Sequence, residues 1–168
     1  MQRKVIKMKK ITKILIIILI LVVCVFIVDA IVCKNILVEP EILYLSKENA
    51  EEKIQATRGS YTWTERGLIR NITATADSIG PTNIDYNKKI EVKSGDKIYF
   101  NDCNWTDVGA LLIFQKDGKE VASIPLESNL EEKYIVTPQL LTDDYIIKID
   151  LKSEKGEVWY SAKIKITE

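Results

Sequence analysis

The sequence predicts an all-β domain, an antiparallel immunoglobulin-like β-sandwich, carried behind one N-terminal transmembrane helix or signal segment. Three observations predict it. An unbroken apolar run fills residues 14–28 behind a basic start. From residue 54 onward, short runs alternate apolar and polar side chains with period two, and turn residues separate them. Leu140-Leu-Thr-Asp-Asp-Tyr145 sets a tyrosine at a strand start, the spacing of the tyrosine corner of immunoglobulin-like sandwiches.

The N-terminal element comes first in the chain. Arg3, Lys4, Lys7, Lys9, Lys10 and Lys13 precede the apolar run without an acid among them. Residues 1–13 therefore read as a basic cytoplasmic segment and residues 14–33 as the span, since about 20 helical residues cross a hydrocarbon layer. Asp29 falls near the far interface, where its charge reaches water. This arrangement sends the remainder out of the cytoplasm and makes the lipid bilayer a partner through residues 14–33. Cleavage near Ala30, which would release a secreted protein, is the alternative, because Val28 and Ala30 are small enough for signal peptidase. A lipoprotein signal fits less well, because Cys24 and Cys33 each follow a valine. Residues 34–52, with Pro40 and a polar stretch at 46–53, read as a stalk, and residues 53–168 as the extracytoplasmic sandwich.

In the sandwich, strands are expected at 54–64, 68–76, 89–93, 97–101, 110–116, 121–126, 133–136, 145–152 and 158–166. Lys116-Asp-Gly-Lys119 is a hairpin signal, since Asp-Gly tolerates positive φ. Ser94-Gly-Asp96 and Glu154-Lys-Gly-Glu157 mark two more turns, the second pairing the last two strands. There Tyr145, Ile147, Ile149 and Leu151 share one face, with Lys148 and Asp150 on the other. Val158, Tyr160, Ala162, Ile164 and Ile166 point inward, leaving Trp159 outside. Gly59, where the alternation of the first strand breaks, suggests a bulge.

The chemistry is bounded by composition. The 168 residues carry 24 basic and 24 acidic side chains and no histidine, which excludes Ser-His-Asp and Cys-His nucleophile sets and His-ligated metals. Residues 1–34 hold seven basic residues and one acid, so the remainder has 17 basic and 23 acidic residues, a net −6. An acidic exported domain offers no cluster of positive charge for nucleic acid. Asp102, Asn104 and Asp107 supply oxygen ligands, but their spacing is not that of an EF-hand, and no metal or other cofactor is expected. Ser94-Gly-Asp-Lys97 has the Ser-x-x-Lys spacing of penicillin-binding enzymes, yet it spans a turn and lacks the companion motifs. Cys103 reads as a small apolar residue of the domain, or as a reactive thiol. The sequons at Asn71 and Asn104 carry no sugar if the source is bacterial, as 26 Ile and 20 Lys against four Arg suggest.

Aromatic residues are the binding candidates. Tyr61 and Trp63 share a strand face and either stack on a sugar ring or fill the core. Trp159, out of phase with the inner face, is a better platform, and Trp105 joins the set from the loop at 101–107.

The segment Gly59-Ser-Tyr-Thr-Trp63 resembles the Gly-Ser/Thr-Tyr-Ser/Thr-Trp motif that opens a group of small exported or membrane-anchored proteins of Gram-positive bacteria. The likeness continues through Ala76-Asp-Ser78 with Pro81, Ile98-Tyr-Phe100, Asp144-Tyr145 and Gly156 to Tyr160. It implies an exported domain and transfers no catalytic residue. The function expected is thus a membrane-anchored, non-catalytic binding module of the bacterial cell envelope, facing an envelope protein or glycan. An envelope hydrolase with paired carboxylates, or a sensory subunit in which Asp29 meets a partner helix, are the alternatives.

Overall fold

A computed structural model of the chain describes residues 2–48, 50–101, 104–116 and 119–167, with side chains from residue 11 onward. Two compact units are distinguished. One comprises the chain up to Val38 together with Glu65–Ile72, and the other Glu39–Thr64 with the chain from Thr73 on.

The first unit is built on α1 (Gln2–Asn35). No Gly or Pro interrupts it, so between its end turns the backbone polar groups pair within the helix, as a lipid environment demands. Residues Ile11–Asn35 are long and apolar enough to cross a membrane. Their large apolar side chains are exposed along the whole length, so α1 is not the core helix of a folded domain. Among its described side chains Asp29 alone is buried, 3 % exposed. The Asp29 carboxylate accepts a hydrogen bond from the Ile69 backbone N–H (2.8 Å) and pairs with the Arg70 guanidinium at 3.2 Å. The residue expected to meet water or a partner helix is instead engaged by its own chain.

The second unit is a two-sheet, mostly antiparallel β-sandwich. One sheet runs in the order β2 (Ile54–Gln55), β1 (Tyr44–Lys47), β6 (Lys97–Phe100), β10 (Tyr134–Val136), β9 (Ser128–Asn129). The other runs β4 (Asn71–Ala76), β3 (Thr57–Arg66), β12 (Gly156–Thr167), β11 (Asp143–Ser153), β7 (Asp107–Lys116), β8 (Lys119–Pro125). β5 (Lys89–Lys93) joins this second sheet by pairing parallel with the far half of β12, Lys163 opposite Lys89 and Thr167 opposite Lys93. β12 is thus flanked on one side by β3 and then by β5, which makes it a buried central strand.

The expected alternation fixes the core. Ile147, Ile149, Leu151, Tyr160, Ile164 and Ile166 are fully buried from the second sheet, as are Leu45, Ile98 and Ile135 from the first. The β11–β12 hairpin turns at Glu154-Lys155, with Ser153 opposite Gly156. Gly156 has φ 148°, and a Cβ there would run into the Thr62 carbonyl, so the position requires glycine. Gly95 at φ 84° serves the turn between β5 and β6. β7 and β8 pair up to Lys116 opposite Lys119, while Asp117 and Gly118 lie outside the described residues. The corner is present: the Tyr145 hydroxyl donates to the Leu141 carbonyl at 2.9 Å.

Two parts of the expected organisation are corrected. The segment 34–52 is not simply a stalk, because it contains β1, whose Leu45 pairs with Phe100, and Leu43 and Leu45 are fully buried. The Tyr160 hydroxyl donates to the Glu41 carbonyl, tying this segment to β12. The strand expected from residue 68 begins only at Asn71, since Gly67 N–H donates to the Arg70 carbonyl (2.8 Å) and closes a tight turn.

The outer face of the second sheet is not bare. Ile113 and Ile146, paired across β7 and β11, point outward yet are buried. The connection from β4 to β5 crosses them through a 3-10 turn at Pro81–Asn83 that packs on β11 and β8. The Tyr86 hydroxyl is bonded to the Pro81 carbonyl (2.8 Å) and to Ser161 Oγ (2.7 Å), locking this strap down. Burial pushes the Tyr86 phenol up, against the smaller opposing pull of Ser161.

Candidate functional site

Beside the strap, the outer face stays open and holds the candidate site. Val158 pairs with Tyr61 and Tyr160 with Arg58, so Gly59 and Ser60 together face Trp159 alone. This is a bulge at the glycine the sequence singled out. Val158 and Tyr160 are buried, so Trp159 between them points outward. Its indole lies against Gly59 in the space a Cβ would need. Only glycine permits the ring to lie flat on the backbone there.

The hairpin register brings charge to the ring. Asp150 is directly opposite Trp159 on β11. Lys148, two residues along, donates to Asp150 Oδ1 at 2.7 Å and Oδ2 at 3.0 Å, and its Nζ stands 5.8 Å from the centroid of the Trp159 ring. Trp159 and Asp150 line an open groove of about 480 Å³ with Ser60, Thr62, Asp77, Lys152 and Glu157, within the range of small-ligand sites, and Lys148 stands beside it. An indole floor, hydroxyls, carboxylates and an ammonium in one hollow can stack one apolar face of a polar ring and hydrogen-bond its rim. A hollow of about 520 Å³ bounded by Tyr44, Arg58 and Lys88 contains no indole.

The four aromatic candidates part company. Trp159 is half-buried in the groove. Tyr61 borders the same groove, but it shares the inner face with Val158, and its ring lies under the Arg58 guanidinium, 5.0 Å from carbon to centroid. Arg58 is held in turn by Glu39 (2.8 Å) and the Pro40 carbonyl (3.1 Å). Tyr61 and Trp159 therefore do not form one platform. Trp63 and Trp105, 3 % and 9 % exposed, are core residues, and Trp63 also borders a hollow of about 390 Å³ with Glu41, Thr106 and Lys155. Their rings meet edge-on at 6.0 Å, and Trp105 meets Tyr160 at 6.4 Å. Trp105 Nε1 is buried without a hydrogen-bond partner among the described residues.

Lys148 and Asp150 were not singled out as site residues by the sequence reading. Counting back from the two-residue turn at Glu154-Lys155 would have found them, because it sets Asp150 opposite Trp159. Among the described residues no group of three His, Cys, Asp or Glu could hold a metal ion. Asp102 and Cys103, on which the oxygen-ligand and thiol readings rested, lie outside the described residues.

No family model matches the chain, and comparison with curated proteins and with solved structures gives no match.

Proposed function

We propose that the chain is a membrane-anchored binding module of the bacterial cell envelope, whose Trp159 groove takes a glycan on the extracytoplasmic side. The reading joins two supports. One is the apolar α1 behind six basic residues, a charge order that keeps the N-terminus in the cytoplasm. The other, which carries the ligand assignment, is Trp159: a half-exposed indole braced on Gly59, beside an ammonium–carboxylate pair and threonine and serine hydroxyls. A sugar ring has an apolar face for the indole and a rim of hydroxyls for Asp150, Lys148 and Ser60. Catalysis is not required of this site.

Purified cell-wall glycan from a Gram-positive bacterium is the probe. The full chain in detergent should co-sediment with it, and Trp159→Ala should abolish co-sedimentation while leaving the fold intact, because the side chain lies outside the core. Equal retention of both proteins would end the glycan assignment. A hydrolase reading has one observation in its favour, the three carboxylates Asp77, Asp150 and Glu157 in the same groove. Release of soluble sugar, lost in Asp150→Asn, would favour it over binding alone.

A further inference from the structure

The β3–β4 connection carries an apolar pair where a water-exposed hairpin would not. Gly67 and Arg70 close the turn, so Leu68 and Ile69 occupy its tip, 57 % and 51 % exposed. Tight hairpin tips in water favour Asn, Asp and Gly, because those residues tolerate the backbone angles and solvate readily. Leu-Ile at the tip favours an apolar surrounding.

Its position along α1 supplies one. Asp29 accepts the Ile69 backbone N–H and pairs with Arg70, so the tip is fixed at the level of residue 29 of the helix. Gly67 lies close by: a Cβ added there would meet Cys33 Sγ at 2.7 Å and Asp29 Oδ1 at 3.3 Å. If the hydrocarbon layer begins after Lys13, about 20 residues at ~1.5 Å each bring its outer boundary to about residue 33. Asp29 then sits about 6 Å inside that boundary, where an ionised carboxylate needs a partner from protein. The hairpin brings a cation and an N–H to meet it, and the exposed Leu68 and Ile69 go to the same level of α1, where Ile27, Val28 and Ile31 are exposed as well.

We propose that the tip Gly67-Leu68-Ile69-Arg70 is a second membrane-inserting element, which enters the outer fringe of the bilayer beside α1 and neutralises Asp29 there. Leu68 and Ile69 dissolve in the acyl-chain boundary, and the Arg70–Asp29 pair latches the hairpin to the anchor. This rests on the reading of α1 as a span, and the test separates the two.

The full chain, with Cys24, Cys33 and Cys103 replaced by serine, is reconstituted in phosphatidylcholine–phosphatidylglycerol vesicles. An environment-sensitive fluorophore is attached at Leu68→Cys, at Leu21→Cys in the middle of α1, or at Val121→Cys, an exposed position on β8. Lipids spin-labelled near the headgroup should quench the Leu68→Cys probe at least about threefold more than the Val121→Cys probe, and aqueous iodide should spare it. Lipids labelled deep in the chain should quench the Leu21→Cys probe. Adding Asp29→Ala should release the tip and expose the Leu68→Cys probe to iodide. A quenched Leu21→Cys probe with an iodide-accessible Leu68→Cys probe overturns the hairpin insertion and leaves the anchor standing. An unquenched Leu21→Cys probe overturns both.

Discussion

The Trp159 indole rests on Gly59, filling the space in which any side chain at position 59 would begin. The two residues lie on neighbouring strands, and the bulge that sets Gly59 and Ser60 opposite Trp159 creates the seat. Gly59→Ala should therefore displace the ring. The overpacking is expected to cost about 1–3 kcal/mol in urea unfolding and to reduce glycan retention, in the direction expected for Trp159→Ala. Unchanged stability and retention would mean that the ring has free room elsewhere.

The strap over the outer face should depend on one phenol. Tyr86→Phe removes the bonds to the Pro81 carbonyl and to Ser161 Oγ, and Ser161 is fully buried. Leaving that hydroxyl without its partner should cost about 1–3 kcal/mol. A double-mutant cycle with Ser161→Ala checks the assignment: the double variant should lose less than the two single losses added together. Strict additivity would show the contact to be energetically silent.

Acid should loosen the edge where β5 meets β12. Asp144 takes Lys163 at 3.0 Å and Lys89 at 3.3 Å, one lysine from each of these strands. Desolvation pushes its carboxyl up, but the hydrogen bonds and charges of Lys163 and Lys89 outweigh it and hold the group below its ordinary value of 3.8. A lowered folded value means that the unfolded chain binds the proton first. The stabilisation is therefore complete above the ordinary value and is lost as pH falls through the folded one. Asp144→Asn should flatten the acid limb of a stability–pH curve, and high salt should shrink the difference, since the group is partly exposed. An acid limb identical in the variant would contradict this.

Much of the sandwich was legible because its last two strands are long and alternate without interruption. The alternation from Tyr145 to Leu151 and from Val158 to Ile166 gave faces and register together, and the corner at Tyr145 and the bulge at Gly59 each left a local mark. Within the Gly59-Ser-Tyr-Thr-Trp63 motif, the glycine seats an indole and Trp63 fills the core, so both ends have structural roles. β1 was not legible. It is four residues long and runs into the polar stretch from Lys47, and it becomes a strand by pairing with β2 and with β6, the latter more than 50 residues away, which no local pattern encodes. The turn at Gly67–Arg70 was hidden for the opposite reason, since Leu68 and Ile69 look like a strand start until Asp29 is known to hold them. The partition of the four aromatics followed from packing: spacing put Tyr61 and Trp63 on one face, but only the position of each relative to Arg58 and Trp105 separates a rim residue from a core one.

We propose that the groove lies outside the cytoplasm behind α1, and labelling in intact cells tests that directly. Val121→Cys, in a chain whose native cysteines are replaced by serine, presents an exposed thiol on β8. A membrane-impermeant maleimide should label it in unbroken bacteria, and the labelled chain should stay with the membranes through an alkaline wash. Labelling only after lysis, or recovery of the chain in the cytosolic fraction, would contradict the account.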